Sequence, residues 1–300
     1  MKILVTGANG LLGQKLIALF ADKEGFELLA TSKGEKRYST HASFIHYKSL
    51  DITSEKEVSE VMGSFEPEVV INTAAMTNVD QCESEKEACW DLNVKAVEYL
   101  VKSCNEAECH LVHLSTDFIF DGEDGPYTEE DKPNPVSYYG ESKLAAEKFI
   151  LENSSSYSIL RTVLVYGYTP GMSRSNIVLW ARQSLLDGKA IKVVTDQWRT
   201  PTLAEDLAFG CFLAAGQKPT GIFNISGKDM MTPYDIALRV GEYFKLDLSN
   251  LSATDGSMFS QAAKRPPKTG FDISKARKVL GYEPLGFEEG LKVIEGQLKK

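Results

Sequence analysis

The feature that most constrains this chain is a glycine-spaced turn directly after its first apolar run. Ile3-Leu4-Val5 is followed by Gly7-Ala8-Asn9-Gly10-Leu11-Leu12-Gly13, and a helical apolar period continues to residue 21. In such a turn the first glycine allows a tight bend, the second allows backbone to approach a pyrophosphate, and the third allows close helix packing. The helix N–H groups and positive dipole end then face the phosphate. The pattern predicts a strand, a dinucleotide-binding turn and a helix.

The rest of the chain divides into an α/β part and a smaller C-terminal part. Up to residue 165, short β-branched runs alternate with longer amphipathic segments, which is typical of a parallel sheet with helices on both faces. Beyond Tyr166, glycines and prolines break the chain into shorter pieces. We predict a doubly wound Rossmann sheet with a smaller C-terminal α/β substrate lobe. The predicted bounds are 1–165 for the dinucleotide-binding domain, with 200–225 packing back on it, and 166–199 and 226–300 for the lobe.

Two helix starts are predicted from the spacing of a capping box. Ser54 is followed by Glu57, and Ser84 is followed by Glu87. In a capping box the serine hydroxyl accepts a hydrogen bond from the backbone N–H three residues on, and the glutamate accepts one from the serine N–H. The spacing therefore predicts helices that begin at these two serines.

Composition and charge exclude several classes of protein. With 43% apolar and 25% charged residues among 300, the chain can bury a large core. The net charge of −9 disfavours nucleic acid and anionic membrane surfaces as partners. The first apolar run is too short for a secretion signal, and none is long enough to span a membrane, so we expect a cytoplasmic protein. Five cysteines and four histidines without ligand spacing predict reduced thiols and no metal site.

Tyr139 and Lys143 form a second candidate site in the middle of the chain. On a predicted helix, residues four apart share a face, so the phenol and the ammonium meet the same space. A free phenol titrates at a pKa of about 10, and a nearby cation lowers that pKa, so we expect Lys143 to lower the pKa of Tyr139. Tyr139 would then donate a proton to a carbonyl oxygen as hydride reaches the carbon. Lys143 could also contact cofactor ribose hydroxyls.

Ser115 and Thr116 stand where another predicted strand ends. Ligands of open α/β sheets bind outside the carboxyl ends of the strands, so these hydroxyls would lie beside the chemistry. There they could hold a substrate carbonyl and share its developing charge. Capping of the strand end is the alternative interpretation. Asp117, the next residue, is either an acid/base carboxylate or a structural one.

The second predicted strand ends in hydroxyls and cations instead of a carboxylate. An NAD site usually has an Asp or Glu about 20 residues beyond the glycines, to bind the ribose hydroxyls. This chain has Ser32, Lys33 and Arg37 there. Because these side chains suit a 2′-phosphate, we expect NADPH as cofactor, with NADH still possible. Solvated loop charges are the alternative for Lys33 and Arg37.

Taken together, these residues resemble the extended short-chain dehydrogenase/reductases, and within them the dTDP-4-dehydrorhamnose reductase family. The resemblance covers most of residues 1–225 and weakens after that. The segments that carry it are Val69-Val70-Ile71-Asn72-Thr73-Ala74-Ala75-Met76-Thr77-Asn78-Val79-Asp80-Gln81-Cys82-Glu83, Leu92-Asn93, Ser115-Thr116-Asp117-Phe118-Ile119-Phe120-Asp121-Gly122, Pro126-Tyr127, and Tyr139-Gly140-Glu141-Ser142-Lys143-Leu144-Ala145-Ala146-Glu147.

The resemblance implies a reductase that transfers hydride from NADPH or NADH to C4 of a nucleotide-linked keto sugar, giving dTDP-L-rhamnose. Thr116, Tyr139 and Lys143 would be its catalytic triad, with Tyr139 as the proton donor. It leaves a homodimer open as the oligomeric state. The implied cofactor-binding residues are Gly7, Asn9, Gly10, Leu11, Leu12, Gly13, Ser32, Lys33, Arg37, Asp51, Ile52, Ala74, Ala75, Met76, Asn93, Tyr139 and Lys143. For Asn93, hydrogen bonding between helices is the better alternative.

Five residues are predicted to contact the substrate: Thr77, Ser115, Asn176, Trp198 and Arg265. Arg265 lies in an Arg-Pro segment like that of these reductases, and its planar fork suits a diphosphate, although a surface charge is the alternative. Trp198 would line the cleft or close the lobe interface, and Asn176 follows a loop that could act as a lid. One departure from the family concerns a Trp expected after the sixth strand, where this chain has Val163.

Two other functions fit the same pattern. One is a nucleotide-sugar epimerase or dehydratase, which needs further acid/base carboxylates where this chain offers Asp117 alone. The other is a regulatory subunit that binds NADP without turnover, similar to the β subunit of methionine adenosyltransferase, which shares the fold. The intact Thr116, Tyr139 and Lys143 set favours an enzyme over such a subunit.

Overall fold

The computed structural model describes residues 1–172, 174–258 and 262–299. Its strands are β1 (Lys2–Thr6), β2 (Glu27–Ser32), β3 (Ile45–Ser49), β4 (Val69–Asn72), β5 (His110–Thr116), β6 (Tyr157–Thr162), β7 (Val165–Tyr166), β8 (Ile191–Val194), β9 (Thr202–Leu203), β10 (Gly221–Asn224) and β11 (Leu251–Thr254). Its α-helices are α1 (Leu11–Ala21), α2 (Glu55–Phe65), α3 (Val79–Ser84), α4 (Lys86–Trp90), α5 (Ala96–Glu106), α6 (Tyr138–Asn153), α7 (Ile177–Leu186), α8 (Ala204–Gln217), α9 (Pro233–Tyr243), α10 (Ser274–Leu280) and α11 (Phe287–Leu298).

Seven parallel strands form the central sheet in the order β10-β6-β5-β4-β1-β2-β3. The chain runs outward from β1 to β3 and then returns to β4 on the other side of β1. This reversal opens a crevice outside the carboxyl ends of β1 and β4, where doubly wound sheets bind their ligands. The expected doubly wound fold is confirmed.

Helices cover both faces of the sheet, because successive side chains of each strand point to opposite faces and both sets are apolar. On β1, Ile3 and Val5 pack in one core with the buried faces of α1 and α8. Leu4 points to the opposite face and packs in a second core with α2, α5 and α6. Strands buried on both faces are continuously apolar, which explains the composition of these runs.

The C-terminal part contains a third core, built from α7, α9 and α11 around the two-stranded sheet of β8 and β11. Helix α8 packs back on the sheet, where its buried residues join the core of α1. Phe271, Ile273 and Tyr282 also join that core, although they fall within the range 226–300 that we assigned to the lobe. The division into two domains stays a prediction.

One of the two predicted helix starts is correct. Ser54 caps α2, since its hydroxyl accepts from Glu57 N at 3.3 Å, but the Glu57 carboxylate accepts instead from Asp51 N at 2.9 Å. The start predicted at Ser84 is displaced, because Ser84 ends α3, which begins at Val79 behind an Asn78 cap, and the next helix, α4, begins at Lys86 with Glu85 as its N-cap. Within the described residues, no helix combines the length and apolarity needed to cross a membrane.

Candidate active site

The glycine turn between β1 and α1 is shaped by contacts that leave no room for side chains. Gly7 has φ +69°, and a Cβ there would lie 2.6 Å from Thr73 Oγ1. A Cβ on Gly13 would collide with the carbonyl of Gly7. Gly7 and Gly13 therefore let the turn, the following helix and the end of β4 pack closely, whereas Gly10 is exposed and precedes the first turn of α1.

The N-terminus of α1 fits a bound phosphate. Gly10 is its N-cap and offers no side-chain acceptor, and no acidic residue lies in the first turn. The first N–H groups of a helix lack partners within the helix, so this end attracts an anion. Leu11 and Leu12 are half-buried there. The turn therefore suits the pyrophosphate of a dinucleotide cofactor.

Asn9 joins the glycine turn to the loop after β2. Its amide nitrogen donates to Glu35 O at 2.8 Å, and its oxygen accepts from Arg37 N at 2.9 Å. Arg37 is exposed, and Ser32 is half-buried at the end of β2. This geometry holds the loop that carries the predicted 2′-phosphate contacts beside the turn.

Lys33 is paired, which the sequence did not predict. Its Nζ lies 2.6 Å from Asp51 Oδ2, and this hydrogen bond raises the pKa of Lys33 and lowers that of Asp51. Thr53 also donates to the Asp51 carboxylate, and Ile52 is buried beside it. Asp51 and Ile52 thus stand at the same edge as Lys33.

Tyr139 and Lys143 are set by the start of α6. Ser137 caps this helix by accepting from Gly140 N at 3.2 Å, so Tyr139 falls in the first turn and Lys143 one turn later. Tyr139 is 8% exposed and Lys143 is 2% exposed. Thr116, at the end of β5, is 6% exposed and lies beside Tyr139. The structure brings the three predicted catalytic residues together.

The titration of the pair departs from our expectation. Burial raises the pKa of Tyr139, and the neighbouring Thr116 side chain offsets this rise only in part. Burial lowers the pKa of Lys143 to about 8, against the opposing charges of Glu147 and Cys89. The expected lowering of the phenol pKa is absent because desolvation outweighs other effects. Lys143 Nζ lies instead 3.0 Å from His113 Nε2.

Asp117 is held in a buried cluster behind Thr116. Thr116 donates to its carboxylate at 3.1 Å, Thr269 also donates to it, and Arg199 Nε lies 3.8 Å away. Burial raises the pKa of Asp117, opposed by the charge of Arg199. These contacts favour the structural interpretation of Asp117, in which its carboxylate orients Thr116, over an acid/base role.

A π-helical turn, Asp91–Lys95, places Asn93 against the loop after β4. The Asn93 amide accepts from Met76 N at 2.8 Å and donates to Met76 O at 3.1 Å. It also donates to Ser142 Oγ on α6 at 3.1 Å. Asn93 therefore ties α6 to the loop that holds Ala74, Ala75 and Met76, all half-buried. Such π-turns are frequent at functional sites.

The five predicted substrate residues have different surroundings. Ser115 Oγ is buried and lacks a hydrogen-bond partner among the described residues, whereas Thr77 is exposed. Trp198 is 41% exposed. Asn176 caps α7 and donates to Gly167 O at 2.7 Å, so its amide already has partners.

Arg265 makes a two-pronged ion pair with Asp80. Its terminal nitrogens lie 2.7 and 2.6 Å from the two carboxylate oxygens, and one of them also donates to Ala263 O. The pair joins the first turn of α3 to the C-terminal segment. The sequence did not predict Asp80 as the partner of Arg265.

Other residues of the site were also missed. Asn72 and His113 stand opposite each other in the register of β4 and β5, and both are buried. Two polar residues in adjacent apolar strands were the signal available for them.

Leu164 has φ +39° next to Val163, where the family Trp was expected, and the chain there turns from β6 into β7.

Comparisons with known proteins agree with this geometry. The family described as RmlD substrate binding domain matches residues 1–299. The dTDP-4-dehydrorhamnose reductase of Aggregatibacter actinomycetemcomitans is 30% identical over 98% of both chains. Methionine adenosyltransferase 2 subunit beta of Rattus norvegicus is 30% identical over 97% of this chain and 86% of that protein.

Solved structures of similar proteins carry the same fold. A dTDP-4-dehydrorhamnose reductase of Clostridium acetobutylicum superposes with a TM-score of 0.88 at 29% identity, covering 100% of both chains. Another from Bacillus anthracis, in complex with NADP, gives 0.85 at 26% identity over 99% of both chains. With this agreement of sequence and fold, the chain belongs to the RmlD substrate binding domain family.

Proposed function

We propose that this protein is an NADPH-dependent reductase of the C4 keto group of a nucleotide-linked deoxysugar, converting dTDP-4-dehydro-L-rhamnose to dTDP-L-rhamnose. The observation that carries the proposal is the meeting of Thr116, Tyr139 and Lys143 at the end of β5, beside the glycine turn at the end of β1. Relatives that carry this name at 30% and 29% identity over nearly their whole length support it. A cytoplasmic location and a homodimer belong to the same proposal.

The proton chemistry falls to Tyr139. Its raised pKa keeps the phenol protonated at neutral pH, so a proton is ready for the substrate oxygen. A bound nicotinamide supplies hydride to the carbonyl carbon. The oxygen then becomes a stronger base than a phenolate, which drives transfer of the phenol proton to it.

Three neighbours assist Tyr139. The hydroxyl of Ser115, which has no partner among the described residues, can donate a hydrogen bond to the developing oxyanion. Thr116 can do the same once its single hydroxyl proton turns from Asp117 to the substrate. Lys143, charged below its pKa of about 8, stabilises the phenolate that remains after proton transfer. The three residues thus stabilise the transition state at a site from which water is largely excluded.

The cofactor and sugar nucleotide would occupy opposite sides of this group. Gly10, Leu11 and Leu12 would hold the pyrophosphate, with Arg37 at the 2′-phosphate. On the substrate side we propose that Arg265 exchanges Asp80 for the diphosphate. Thr77, Trp198 and Asn176 stay predictions for the walls of the cleft.

A regulatory role is the second candidate, and the 30% identity to the rat methionine adenosyltransferase 2 subunit beta favours it. Such a subunit needs a fold and a surface but no proton donor. The burial of Tyr139 and Lys143 argues for the enzyme, because an ammonium is costly to bury without a use.

The test is oxidation of NADPH by the purified protein in the presence of dTDP-4-dehydro-L-rhamnose. We expect turnover, and Tyr139→Phe should lower kcat at least about a hundredfold, the usual size of general acid catalysis. Tyr138→Phe is the matched control, since Tyr138 precedes it on α6 and packs near Trp90 with ring centroids 6.3 Å apart. Undiminished turnover by Tyr139→Phe would contradict the mechanism, and absence of turnover by the unaltered protein would favour the regulatory role.

A further inference from the structure

Four buried polar side chains connect the first strand to Lys143. Thr6 Oγ1 lies 2.5 Å from Asn72 Oδ1, Asn72 Nδ2 lies 3.1 Å from His113 Nδ1, and His113 Nε2 lies 3.0 Å from Lys143 Nζ. No member is more than 2% exposed. Because water has little access to these four side chains, the polar protons between them must be donated to neighbouring members of the set.

The hydrogen-bonding capacity of His113 limits how these protons are arranged. Burial, followed by the charge of Lys143, holds the pKa of His113 well below its ordinary value, so the ring is neutral at physiological pH. A neutral imidazole has one N–H and one bare nitrogen. A charged ammonium only donates, so Nε2 must be bare and Nδ1 must carry the proton.

The amide of Asn72 completes this arrangement. The oxygen and nitrogen ends of an amide have nearly the same shape, so hydrogen bonds decide which end faces which partner. With a proton on His113 Nδ1, Asn72 turns its oxygen to the ring and its nitrogen to Thr6 Oγ1. Each of the three contacts then has one donor and one acceptor.

The other titratable groups around Lys143 are already engaged or neutral. On the same helix, Tyr139 is protonated and Glu147 is held by Arg161 at 2.7 and 3.1 Å. Cys89, from α4, makes hydrogen bonds with Ser142 and Asn93. His113, from β5, is the acceptor in direct contact with the ammonium.

We propose that His113 is a positioning residue for Lys143, which in its Nδ1–H tautomer accepts a hydrogen bond from the ammonium, favours its charged form and holds it beside Tyr139. A buried ammonium without an acceptor loses its proton more easily. The link to Thr6 through Asn72 also fixes the imidazole against β1, next to the glycine turn. The catalytic meaning of this contact rests on the proposed function, whereas the proton arrangement does not.

The first experiment uses the unaltered protein without substrate. Nitrogen NMR of the ring of His113, assigned by its loss in His113→Gln, distinguishes a protonated from a bare nitrogen at pH 7. We expect Nδ1 protonated and Nε2 bare. A proton on Nε2 would overturn the proposal, since Nε2 could then not accept from Lys143.

The second experiment measures the pKa of Lys143 by NMR of labelled lysines, assigned with Lys143→Met. His113→Met removes the acceptor and should lower this pKa by about one unit or more, a tenfold change in the charge equilibrium. His113→Gln restores an acceptor and should return the pKa towards that of the unaltered protein. An unchanged pKa in folded His113→Met would overturn the proposal.

The matched control is His110→Met. His110 lies on the same strand and is also buried, but its ring nitrogens contact Ser156 and Ser158 at the opposite end of β5. This substitution removes a buried histidine of the same kind and should leave the pKa of Lys143 unchanged. An equal shift in His110→Met would mean that the effect is a general loss of stability, and would overturn the proposal.

The kinetic consequence separates this inference from the proposed function. If the protein turns over, the basic limb of the pH profile of kcat should move to lower pH in His113→Met and return in His113→Gln. If no nucleotide sugar is reduced, the proposed function fails while the two NMR experiments still decide the inference. If turnover is normal and the NMR results are contrary, only the inference fails.

Discussion

Glu147 lies one helical turn after Lys143 and pairs with Arg161 in the interior. The side chains are 1% and 3% exposed, and two hydrogen bonds join them. Neither residue carried a signal in the sequence, because a glutamate on an amphipathic helix usually faces water. At the scale of single residues, position within the tertiary structure decided which charges are buried and partnered.

Breaking the ion pair between Glu147 and Arg161 should lower the free energy of unfolding. Glu147→Leu leaves Arg161 buried without its partner, and we expect the free energy of unfolding to fall by about 3–5 kcal/mol. The double substitution Glu147→Leu with Arg161→Met removes both charges and should recover most of the loss. Urea denaturation of the three proteins measures the effect, and a loss below about 1 kcal/mol in the single variant would contradict it.

Arg37 permits a second prediction at this scale, on the choice of cofactor. Lys33 is engaged by Asp51, so the exposed guanidinium of Arg37 is the better candidate for a 2′-phosphate contact. Arg37→Ala should weaken NADPH binding about tenfold, the size of a lost charged hydrogen bond, and leave NADH binding unchanged. Lys36→Ala is the control, and titration of each cofactor by fluorescence is the measurement. Equal loss of both cofactors would argue against a 2′-phosphate contact.

Among the elements, β5 contributes the most residues to the candidate site and to the contacts behind it. Its carboxyl end delivers Ser115 and Thr116, its middle delivers His113, and its first residue is His110. The sequence predicted this strand and the hydroxyls at its end. It could not predict the π-helical turn that carries Asn93, because one extra residue in a helical turn leaves no mark on the apolar period.

His110 should make the protein sensitive to acid. Burial lowers its pKa to about 4 in the folded state, with a further contribution from the charge of Lys218. The unfolded chain therefore binds a proton at higher pH than the folded one, so stability is full above pH 6.5 and is lost as pH falls towards 4. The contribution is up to about 3 kcal/mol.

His110→Gln tests this prediction through urea denaturation at pH 7 and pH 4.5. The variant should lose less stability between the two pH values than the unaltered protein. His113 is present in both proteins, so the difference isolates His110. An identical loss would show that the acid sensitivity comes from other groups.

At the scale of the whole molecule, the C-terminal segment returns to the central sheet and contacts the residues around Asp117. Tyr127 N donates to Gly270 O at 2.8 Å, and Thr269 reaches Asp117 behind Thr116. Arg265 pairs with Asp80 in the first turn of α3. The carboxyl end of β5, where Thr116 and Asp117 meet, is thus tied to a segment about 150 residues later in the chain.

The ion pair between Asp80 and Arg265 should stabilise the C-terminal segment around Ala263 against local unfolding. The hydrogen bonds from Arg265 lower the pKa of Asp80 to about 2, so its stabilising effect is full above pH 3.8 and is lost as pH falls towards 2. At pH 5, Asp80→Asn should speed amide hydrogen exchange of Ala263, whose N–H donates to Asp80. The amide of Tyr127 is the internal control, and unchanged exchange of Ala263 would refute the role of the pair.

The doubly wound sheet, the glycine turn and the shared helix face of Tyr139 and Lys143 follow from the sequence alone, because they depend on local periods and short spacings within single elements. Thr116 joined that pair through the family resemblance, and its catalytic role stays a prediction. The partners of these residues follow from the tertiary structure. His113, Asp80 and Arg199 act through contacts between elements remote in sequence, and burial raised the pKa of Tyr139 where a local argument predicted a lower one. Desolvation depends on everything packed around a group, so no short segment of sequence contains it.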